Sequence, residues 1–542
     1  MALPALYGWL QSPAATPTQV YQVQAVGAVA EPWPQFVVTQ GATAPGAEPQ
    51  SQLQRALTAG SLSTLLGVIS SLGAFLRSQG GTQRSRLPTS LLVALGTTAL
   101  VFGVLLLAYT GYVFIDRHLS SPWTYGLAAL ACLGAALLGG LCVITNYLSV
   151  HRYYRDRLME TFMPDVGAAL PMDGVPKGLA QDADTKELHR VWPPTGRAAP
   201  GPYPLINAHV MLVSSRIPKF RGRGGDSFVF SPWYSGSNAT GWARTSRSYR
   251  WMTLASAMAV SGAAVNPNTG VGGSGVTRQP MLSLLMGLLN IRLAYGVLNP
   301  MPRPQRLERM QHQGQPAWRR AMLVLAERLC KDVPNAIWPG LAELLLRSDL
   351  DENSHMLQLT DGGHFENLGL YELVRRRVPL IIASDAGADP GYGFGDLANA
   401  IEKVRADFGV LIDISAADLE RLTPGRVPDR DPPLTSVAER GFLVARVLYP
   451  EAAAQPMVGT LIYMTTTFFK ELSADLYGYK RNCPDFPDQP TSDQFFNEQQ
   501  FDAYRELGYQ TAWQMLQSAE VRTLRPVLRR MGLPPWEPPD GR

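Results

Sequence analysis

Residues 359–390, LTDGGHFENLGLYELVRRRVPLIIASDAGADP, contain the strongest structural pattern in this chain. An apolar run that begins at Met356 ends at Asp361, and a helix-like segment with three arginines then leads into a second apolar run that ends at Asp385. Apolar runs separated by a helix predict strands of an α/β fold. Asp361 should therefore lie at the carboxyl end of a strand, where open α/β folds place their chemistry.

The two residues after Asp361 are glycines, and a capping residue follows them. Gly362 and Gly363 allow a tight backbone turn and leave space beside the carboxylate, so both are predicted to line a substrate pocket. Asn367 is well placed to cap the next helix. The sequence thus predicts that Asp361 is presented on a rigid edge of the sheet.

Strand-like and helix-like segments continue to alternate through the second half of the chain. Strands are predicted at 206–213, 227–230, 356–359, 379–384, 408–412, 442–448 and 461–465. Helices are predicted at 251–260, 317–331, 341–347, 370–377, 397–406 and 493–507. Because the runs near residues 380 and 410 are apolar on both faces, the predicted class is α/β, with a largely parallel sheet flanked by helices.

The first 150 residues differ from the rest in composition. Charged residues make up 17% of the chain, against roughly 25% in soluble domains, and the shortfall lies in this part. Residues 91–115 carry no charge and residues 123–148 are mostly apolar. Each run exceeds the roughly 20 residues that cross a bilayer core. The pattern predicts a transmembrane helical hairpin before the α/β domain, with spans at about 91–115 and 123–148.

Arginines on both sides of the predicted hairpin indicate its orientation. Only Arg117 lies between the two spans, whereas three arginines precede them and three follow, namely Arg77, Arg84, Arg86, Arg152, Arg155 and Arg157. This asymmetry predicts a multi-pass membrane protein with both flanks in the cytoplasm. Residues 58–76 are weakly apolar and are either a third span, an interfacial helix or a buried segment.

Domain organisation follows from these changes in composition. Residues 1–57 form an irregular leader rich in Pro, Ala and Gln, residues 58–150 form the membrane region, and residues 151–542 form the α/β domain. The irregular start agrees with a shortened or rearranged reading frame.

Composition and spacing argue against several classes of function. The net charge is only +4, and no basic block with interleaved aromatic residues occurs, so no nucleic-acid partner is expected. His364 and Glu366 do not form a ligand pattern such as His-Glu-x-x-His. The cysteines show no metal-type spacing, and they are Cys132, Cys142, Cys330 and Cys483. Neither a metal nor another cofactor is predicted.

The Asp361-Gly-Gly segment resembles the catalytic-aspartate segment of the patatin-like phospholipases and of their relatives, the calcium-dependent cytosolic phospholipases. Other segments look like parts of large bacterial patatin-like membrane proteins, in the same order. These are LSVHRYYRDRL (148–158), FVFSPWYSGS (228–237), TLASAMAVSGAAVNPNTG (253–270), NIRLAYGVLNP (290–300) and FPDQPTSDQFFNEQQFDAYRELG (486–508). The resemblance is to the later part of those proteins and implies a bacterial inner-membrane location.

The resemblance implies a Ser–Asp dyad that cleaves acyl esters, with Asp361 as its carboxylate. Such a dyad needs a serine on a sharp turn and backbone N–H donors for the oxyanion. The chain contains no Gly-x-Ser-x-Gly and no Gly-rich loop after an N-terminal strand. The implied serine elbow and oxyanion loop are therefore expected on a separate chain, or as lost parts of the enzyme.

Three serines in this chain are candidates for the nucleophile. Ser261 has small neighbours, including Gly262, which is predicted to line the pocket, but it follows a helical pattern rather than a strand. Its segment also looks like the Ala-Ser-x-Ala-x-Pro wall segment of the family. Ser235 follows a strand but has bulky Trp233 before it, and Ser274 lies in a glycine-rich loop, so loop structure explains both better.

Asp385 and three consecutive arginines have both functional and structural interpretations. Asp385 is predicted to cap the following turn rather than to bind a metal or act as a second active-site carboxylate. The arginines either attract lipid phosphates or stabilise the end of their helix, and they are Arg375, Arg376 and Arg377.

The function predicted first is a membrane-anchored patatin-like lipid acyl hydrolase that uses Asp361 as general base. Its substrate would be a phospholipid or another acyl ester from the bilayer, and it would need no dissociable cofactor. The alternative is a non-catalytic membrane protein that keeps a degenerate patatin-like fold for lipid binding or scaffolding. A third possibility is one half of a split enzyme, whose partner chain supplies the serine.

Overall fold

The computed structural model describes residues 21–25, 36–40, 102–106, 108–113, 115–116, 121–163, 181–192, 202–266, 292–330, 332–340, 350–425, 436–450, 457–490 and 496–523. The chain divides into two compact units. The first contains Met1–Val143 and Gly275–Leu289, and the second contains Ile144–Ser274 and Asn290–Arg542. Predictions for residues 58–76, 91–101 and 341–347 and for Ser274 lie outside the described residues.

The first unit contains one helix of membrane-spanning length among the residues that the structure describes. Strand β1 (Tyr21–Ala25) pairs antiparallel with strand β2 (Phe36–Gln40). Helix α1 (Pro122–Cys142) has 21 residues, a mean hydropathy of 1.9 and no buried residue. Residues 102–106 and 108–113 are helical over a shorter apolar stretch. Among the described residues, one helix could therefore span a membrane, and the first span of the predicted hairpin lies partly outside these residues.

Helix α1 ends before residue 148, the predicted end of the second span. Pro at its first position starts the helix, as is common where an N–H needs no partner. Beyond its end, Asn146 belongs to the second unit, because its side chain exchanges two hydrogen bonds of 2.9 Å with the backbone of Gly296. The polar residues near 146 therefore serve a tertiary contact rather than the end of a span.

The second unit contains two sheets and the helices that cover them. Its strands are β3 (Ile206–Met211), β4 (Gly225–Phe230), β5 (Tyr234–Ser237), β6 (Gly241–Arg244), β7 (Tyr295–Leu298), β8 (Met356–Asp361), β9 (Leu380–Asp385), β10 (Leu411–Asp413), β11 (Phe442–Leu448) and β12 (Val458–Thr465). Its helices are α2 (Val150–Phe162), α3 (Gln181–Thr185), α4 (Pro218–Arg223), α5 (Thr245–Ser248), α6 (Leu254–Ser261), α7 (Arg303–His312), α8 (Ala317–Cys330), α9 (Leu370–Arg375), α10 (Gly395–Phe408), α11 (Ala416–Leu422), α12 (Ala474–Asn482), α13 (Glu498–Gln517) and α14 (Ala519–Arg522).

The larger sheet has six strands in the order β6-β5-β4-β3-β8-β7, and every described pair in it is antiparallel. Strand β8 lies between β3 and β7, so it is an inner strand. Its core face packs on a cluster that includes Phe228, Phe230 and Tyr249, whose rings meet edge to face. Rings in this arrangement contribute roughly 0.5–1.5 kcal/mol per pair beyond the area they bury.

The smaller sheet has the order β10-β11-β12-β9, and only the β12–β9 pair is parallel. The prediction of a largely parallel sheet is therefore wrong. Helix α10 does connect β9 to β10, and these two strands run in the same direction, as a crossover helix requires. However, β11 and β12 pair with each other and insert between them, which leaves mostly antiparallel neighbours. The observed class is mixed α/β with a dominant antiparallel sheet.

A buried carboxylate connects the helices of the two sheets. Asp407 on α10 accepts hydrogen bonds from Tyr371 Oη on α9 at 2.7 Å, from Arg223 at 2.8 Å and from Lys219 Nζ at 2.9 Å. Burial alone would raise the Asp407 pKa, but these hydrogen bonds bring it below its ordinary value. The network fixes α9, the helix that follows the Asp361 turn, against the connection between β3 and β4.

The positions of most predicted elements agree with the structure. Strand β11 spans the predicted 442–448, and β8 and β9 each extend to include the aspartate after the predicted run. The strand predicted at 408–412 begins only at Leu411, because residues up to Phe408 continue helix α10. Strands β5, β6 and β7 were not predicted, since each has only four residues.

Candidate active site

Asp361 is the last residue of strand β8, as the sequence predicts, although the sheet is antiparallel. It lies opposite Ala208 of β3. Its backbone N–H donates to the carbonyl oxygen of Ala263 at 3.2 Å, which joins the strand end to the segment after helix α6. A short 3₁₀ turn, Gly362–His364, follows and leads away from the sheet. The Asp361 backbone is thus fixed at the end of β8 by strand β3, by the segment after α6 and by the 3₁₀ turn.

The Asp361 carboxylate is half-buried and only partly hydrogen-bonded. Its Oδ1 accepts the Gly363 N–H at 2.7 Å. Its other oxygen accepts no hydrogen bond and forms no ion pair with the part of the chain that the structure describes. Burial raises the pKa of Asp361, while the Gly363 N–H and nearby His364 act in the opposite direction. A carboxylate with increased proton affinity and one available oxygen is suited to act as a general base.

His364 is close to Asp361, and its ring contacts two other side chains. Its Nδ1 lies 2.8 Å from Thr360 Oγ1, and its ring centre lies 6.2 Å from that of His209. Burial lowers the pKa of His364, and the Asp361 charge opposes this shift. Burial thus disfavours the charged form of His364, and the neighbouring carboxylate favours it.

Positions 362 and 363 require glycine because a Cβ atom at either one would collide with other protein atoms. A Cβ atom at Gly362 would lie 2.8 Å from the carbonyl oxygen of Asn207, and one at Gly363 would lie 1.9 Å from Asn367 Oδ1. Neither glycine has a positive φ angle. The sequence predicts that both line a substrate pocket, and this stays a prediction.

Ser261 and Gly262 lie near Asp361 in the fold, but the Ser261 hydroxyl does not bond to the carboxylate. Ser261 is the last residue of α6, a helix that begins at the capping residue Thr253. Its hydroxyl makes no hydrogen bond with any residue that the structure describes. Ala263 connects this segment to Asp361 through the backbone bond already described. Ser261 therefore sits at a helix end and not on a strand-to-helix turn.

Tyr154 is a site residue that sequence reasoning missed. It lies on α2, and the pKa of its hydroxyl is raised by burial and by the charge of Asp361. A Cβ atom at Gly262 would lie 2.5 Å from Tyr154 Oη. Helical periodicity could have found it, because Tyr154 falls three residues after buried His151 and directly before buried Arg155.

The other singled-out residues have structural partners. Ser235 is buried, and its Oγ lies 2.9 Å from Thr245 Oγ1. Asp385 accepts the Gly387 N–H at 2.9 Å and the Tyr463 hydroxyl at 2.7 Å, which agrees with the predicted turn role.

The three consecutive arginines at the end of α9 also form hydrogen bonds within the protein. Arg375 and Arg376 each place Nε 2.6 Å from the buried Glu372 carboxylate. Arg377 donates to the carbonyl oxygen of Pro450 at 2.7 Å. These contacts account for the cluster as the end of a helix.

Two cavities lined by described residues lie elsewhere in the second unit. One of about 450 Å³ is lined by residues that include Arg440, Phe442 and Trp513. One of about 30 Å³ is lined by residues that include Trp338 and Asp351. Asp361 lines neither. Within the described ranges, no group of three His, Cys, Asp or Glu side chains is arranged to hold a metal ion.

No family model and no curated protein sequence matches this chain. Among solved structures, human GIVD cytosolic phospholipase A2 is similar at 14% sequence identity and a TM-score of 0.35, over 95% of this chain and 73% of that one. A structural overlap this low carries no argument about function, so the functional conclusion depends on the site itself.

Proposed function

We propose that this chain is a lipid acyl hydrolase, or the later part of one, in which Asp361 is the general base. The observation that carries the proposal is the Asp361 carboxylate itself, which is half-buried at the end of an inner strand and keeps one oxygen without a partner among the described residues. Its raised pKa increases its ability to accept a proton. The motif resemblance of the sequence supplies the reaction class.

In this mechanism, the free oxygen of Asp361 accepts the proton of a hydroxyl nucleophile as that hydroxyl attacks an ester carbonyl. The ester C–O bond then breaks, the leaving alcohol takes the proton from Asp361, and water, activated by the same carboxylate, releases the acyl group as the acid. Ser261 is the candidate within this chain, since its hydroxyl has no partner among the described residues and its segment contacts Asp361 through Ala263. For catalysis, the Ser261 hydroxyl has to come within hydrogen-bond distance of the free Asp361 oxygen. Catalytic hydrogen bonds commonly tighten only when substrate binds.

The membrane part of the proposal is carried by helix α1. Its length and hydropathy suit a bilayer span, and large apolar side chains along it are exposed, including Leu127, Leu130 and Leu138. A membrane helix in the same chain would keep the hydrolase at its lipid supply.

Replacing Leu130 and Leu138 by Glu should release the protein from membranes into the carbonate-soluble fraction, since each charge at a helix centre costs about 3 kcal/mol. Retention of the variant in the membrane pellet would contradict this attachment.

Turnover of a short acyl ester in detergent tests the catalytic proposal. We expect Asp361→Asn to lose most of the activity and Ser261→Ala to lose it as well if this chain supplies its own nucleophile. Asp475→Asn is the matched control, because Asp475 is exposed at the start of α12 and remote in sequence from the site. Activity that survives Asp361→Asn at the wild-type rate would exclude Asp361 as the base.

A non-catalytic lipid-binding function is favoured by one specific observation. Ser261 ends a helix, and its hydroxyl does not bond to Asp361. Binding of the full chain to phospholipid vesicles, together with no turnover and no labelling by a fluorophosphonate probe, would establish this second function. Turnover that appears only after addition of a co-purified chain would instead indicate a split enzyme.

A further inference from the structure

We propose that Tyr154 is a further catalytic residue of the Asp361 site, and that its hydroxyl donates a hydrogen bond to the carbonyl oxygen of the acyl ester. This inference rests on the proposed hydrolase function and deepens it. It assigns the oxyanion donor, the part of the dyad mechanism for which the sequence offers no glycine-rich loop after an N-terminal strand.

Helix α2 holds Tyr154 in a fixed position. The next residue, Arg155, is buried and donates to Ser256 Oγ on α6 at 3.0 Å, and its guanidinium lies 2.6 Å from Asp184. One turn earlier, His151 Nδ1 lies 2.7 Å from the carbonyl oxygen of Leu293. Contacts on both sides of Tyr154 therefore anchor this stretch of α2 on α6 and on the segment before β7.

Gly262 shows where the Tyr154 hydroxyl lies. A Cβ atom at Gly262 would be 2.5 Å from Tyr154 Oη, and the next ring atom, Cζ, would be 3.5 Å away. The φ angle of Gly262 is −102°, which any residue can adopt. Glycine is therefore required at position 262 because the Tyr154 hydroxyl leaves no room for a side chain, and not because of the backbone conformation.

The Tyr154 hydroxyl and the Asp361 backbone both contact the short segment Gly262–Ala263. Gly262 contacts Tyr154, and the adjacent Ala263 accepts the backbone N–H of Asp361. The charge of Asp361 also acts on the Tyr154 hydroxyl, which places the two groups within electrostatic reach of each other. Ser261, the candidate nucleophile, directly precedes Gly262.

The Tyr154 hydroxyl has no hydrogen-bond partner among the described residues and remains protonated. It makes no hydrogen bond with any residue in the described part of the chain, and its side chain is half-buried. Burial and the Asp361 charge both raise its pKa above the ordinary value of a phenol. A protonated, half-buried hydroxyl beside a general base can donate to a developing oxyanion, as tyrosines do in other oxyanion sites.

Kinetics of Tyr154→Phe test the assignment. We expect kcat to fall about 10²–10³-fold with little change in KM, the effect of removing one oxyanion donor. Tyr153→Phe is the matched control, because Tyr153 is the neighbouring tyrosine and is 68% exposed. Asp361-dependent turnover that is unchanged in Tyr154→Phe would overturn this inference alone. Wild-type protein without Asp361-dependent turnover would overturn the proposed function and this inference together.

A second experiment tests the geometry without using activity. Gly262→Ala should lower the urea midpoint of unfolding, because the new methyl group collides with Tyr154 Oη. In the Tyr154→Phe background the nearest ring atom is Cζ at 3.5 Å, an ordinary contact, so most of that loss should disappear. An equal loss in both backgrounds would show that the hydroxyl does not lie over Gly262 and would overturn the inference.

Discussion

Asp361 and Asp385 each end a strand and are each followed by two small residues, yet their carboxylates have different partners. Each accepts the N–H two residues later, Asp361 from Gly363 at 2.7 Å and Asp385 from Gly387 at 2.9 Å. The second oxygen of Asp385 also accepts the Tyr463 hydroxyl at 2.7 Å. The second oxygen of Asp361 has no such partner in the described residues. Similar local sequences thus give one structural carboxylate and one that is available for chemistry.

The neighbouring strand explains the difference. Asp385 on β9 lies beside β12, which carries Tyr463 two positions before the residue paired with Asp385. Asp361 on β8 lies directly opposite Ala208 of β3, and alanine offers no hydrogen-bond donor from its side chain. The side chains that the next strand places beside a strand-end aspartate therefore decide whether its second oxygen is occupied.

The largest expected difference between the two sites is in catalysis. Asp361→Asn should reduce kcat/KM about 10²–10⁴-fold, the usual contribution of a general base. Asp385→Asn should leave kcat/KM per folded molecule unchanged, since Asp385 is occupied by Tyr463 and Gly387. Steady-state kinetics on a short acyl ester measure both. Equal losses in the two variants would mean that the comparison is wrong.

A methyl group at the glycine two residues after each aspartate should destabilise the two turns to different extents. At Gly363 a Cβ atom would lie 1.9 Å from Asn367 Oδ1, whereas at Gly387 its nearest neighbour would be Asp385 Oδ1 at 3.1 Å. We expect Gly363→Ala to lower the free energy of unfolding by about 2–3 kcal/mol, as overpacking does, and Gly387→Ala by less than about 1 kcal/mol. Urea unfolding measures both values, and the reverse order would contradict the described geometry.

Removal of one hydroxyl tests the structural role of Asp385. Tyr463→Phe deletes the donor to Asp385 and should lower the free energy of unfolding by about 1 kcal/mol, the net value of a typical hydrogen bond. Tyr153→Phe again serves as the control, because Tyr153 is exposed. Turnover should be unaffected by Tyr463→Phe. A loss of activity without a loss of stability would instead assign Asp385 to the active site.

The smallest expected effect is a dependence of stability and rate on pH. Burial raises the pKa of Asp361 in the folded protein, so the folded state holds this proton more tightly than the unfolded chain does. The resulting stability is present below the unfolded pKa and is lost as pH rises through the folded pKa. The acidic limb of the pH profile of kcat/KM should lie above the ordinary carboxyl pKa for the same reason.

The Asp361 contribution can be separated from that of another buried carboxyl. Burial raises the pKa of Asp226 to about 6, so Asp226 contributes to stability with the same sign. Subtracting the pH dependence of Asp361→Asn from that of the wild type isolates Asp361. A difference that increases stability with rising pH would show that the Asp361 pKa is lowered and would contradict the observed burial.

Local patterns predicted elements well and pairing poorly. The apolar runs that became β8, β9 and β11 were located from their own residues, because a run of apolar side chains is a local feature of the sequence. The direction of each strand relative to its neighbours was not predicted. It depends on β11 and β12, which separate β9 from β10 through contacts between distant parts of the chain. The short strands β5 to β7 have too few residues to produce a periodic signal.

The candidate site divides in the same way. The aspartate, its two glycines and its position at a strand end were predictable from residues 356–367 alone. The contact of Tyr154 with Gly262 was not, because α2 and α6 are distant in sequence and meet only in the fold.

By itself, the sequence determined that an acidic side chain ends an apolar strand at a tight turn, and that an apolar helix of spanning length precedes the second unit. Only the tertiary structure decided that Asp361 keeps a free oxygen in the described residues while Asp385 does not. The physical reason is that a strand fixes where its own carboxylate points, whereas hydrogen-bond partners come from segments that packing brings alongside.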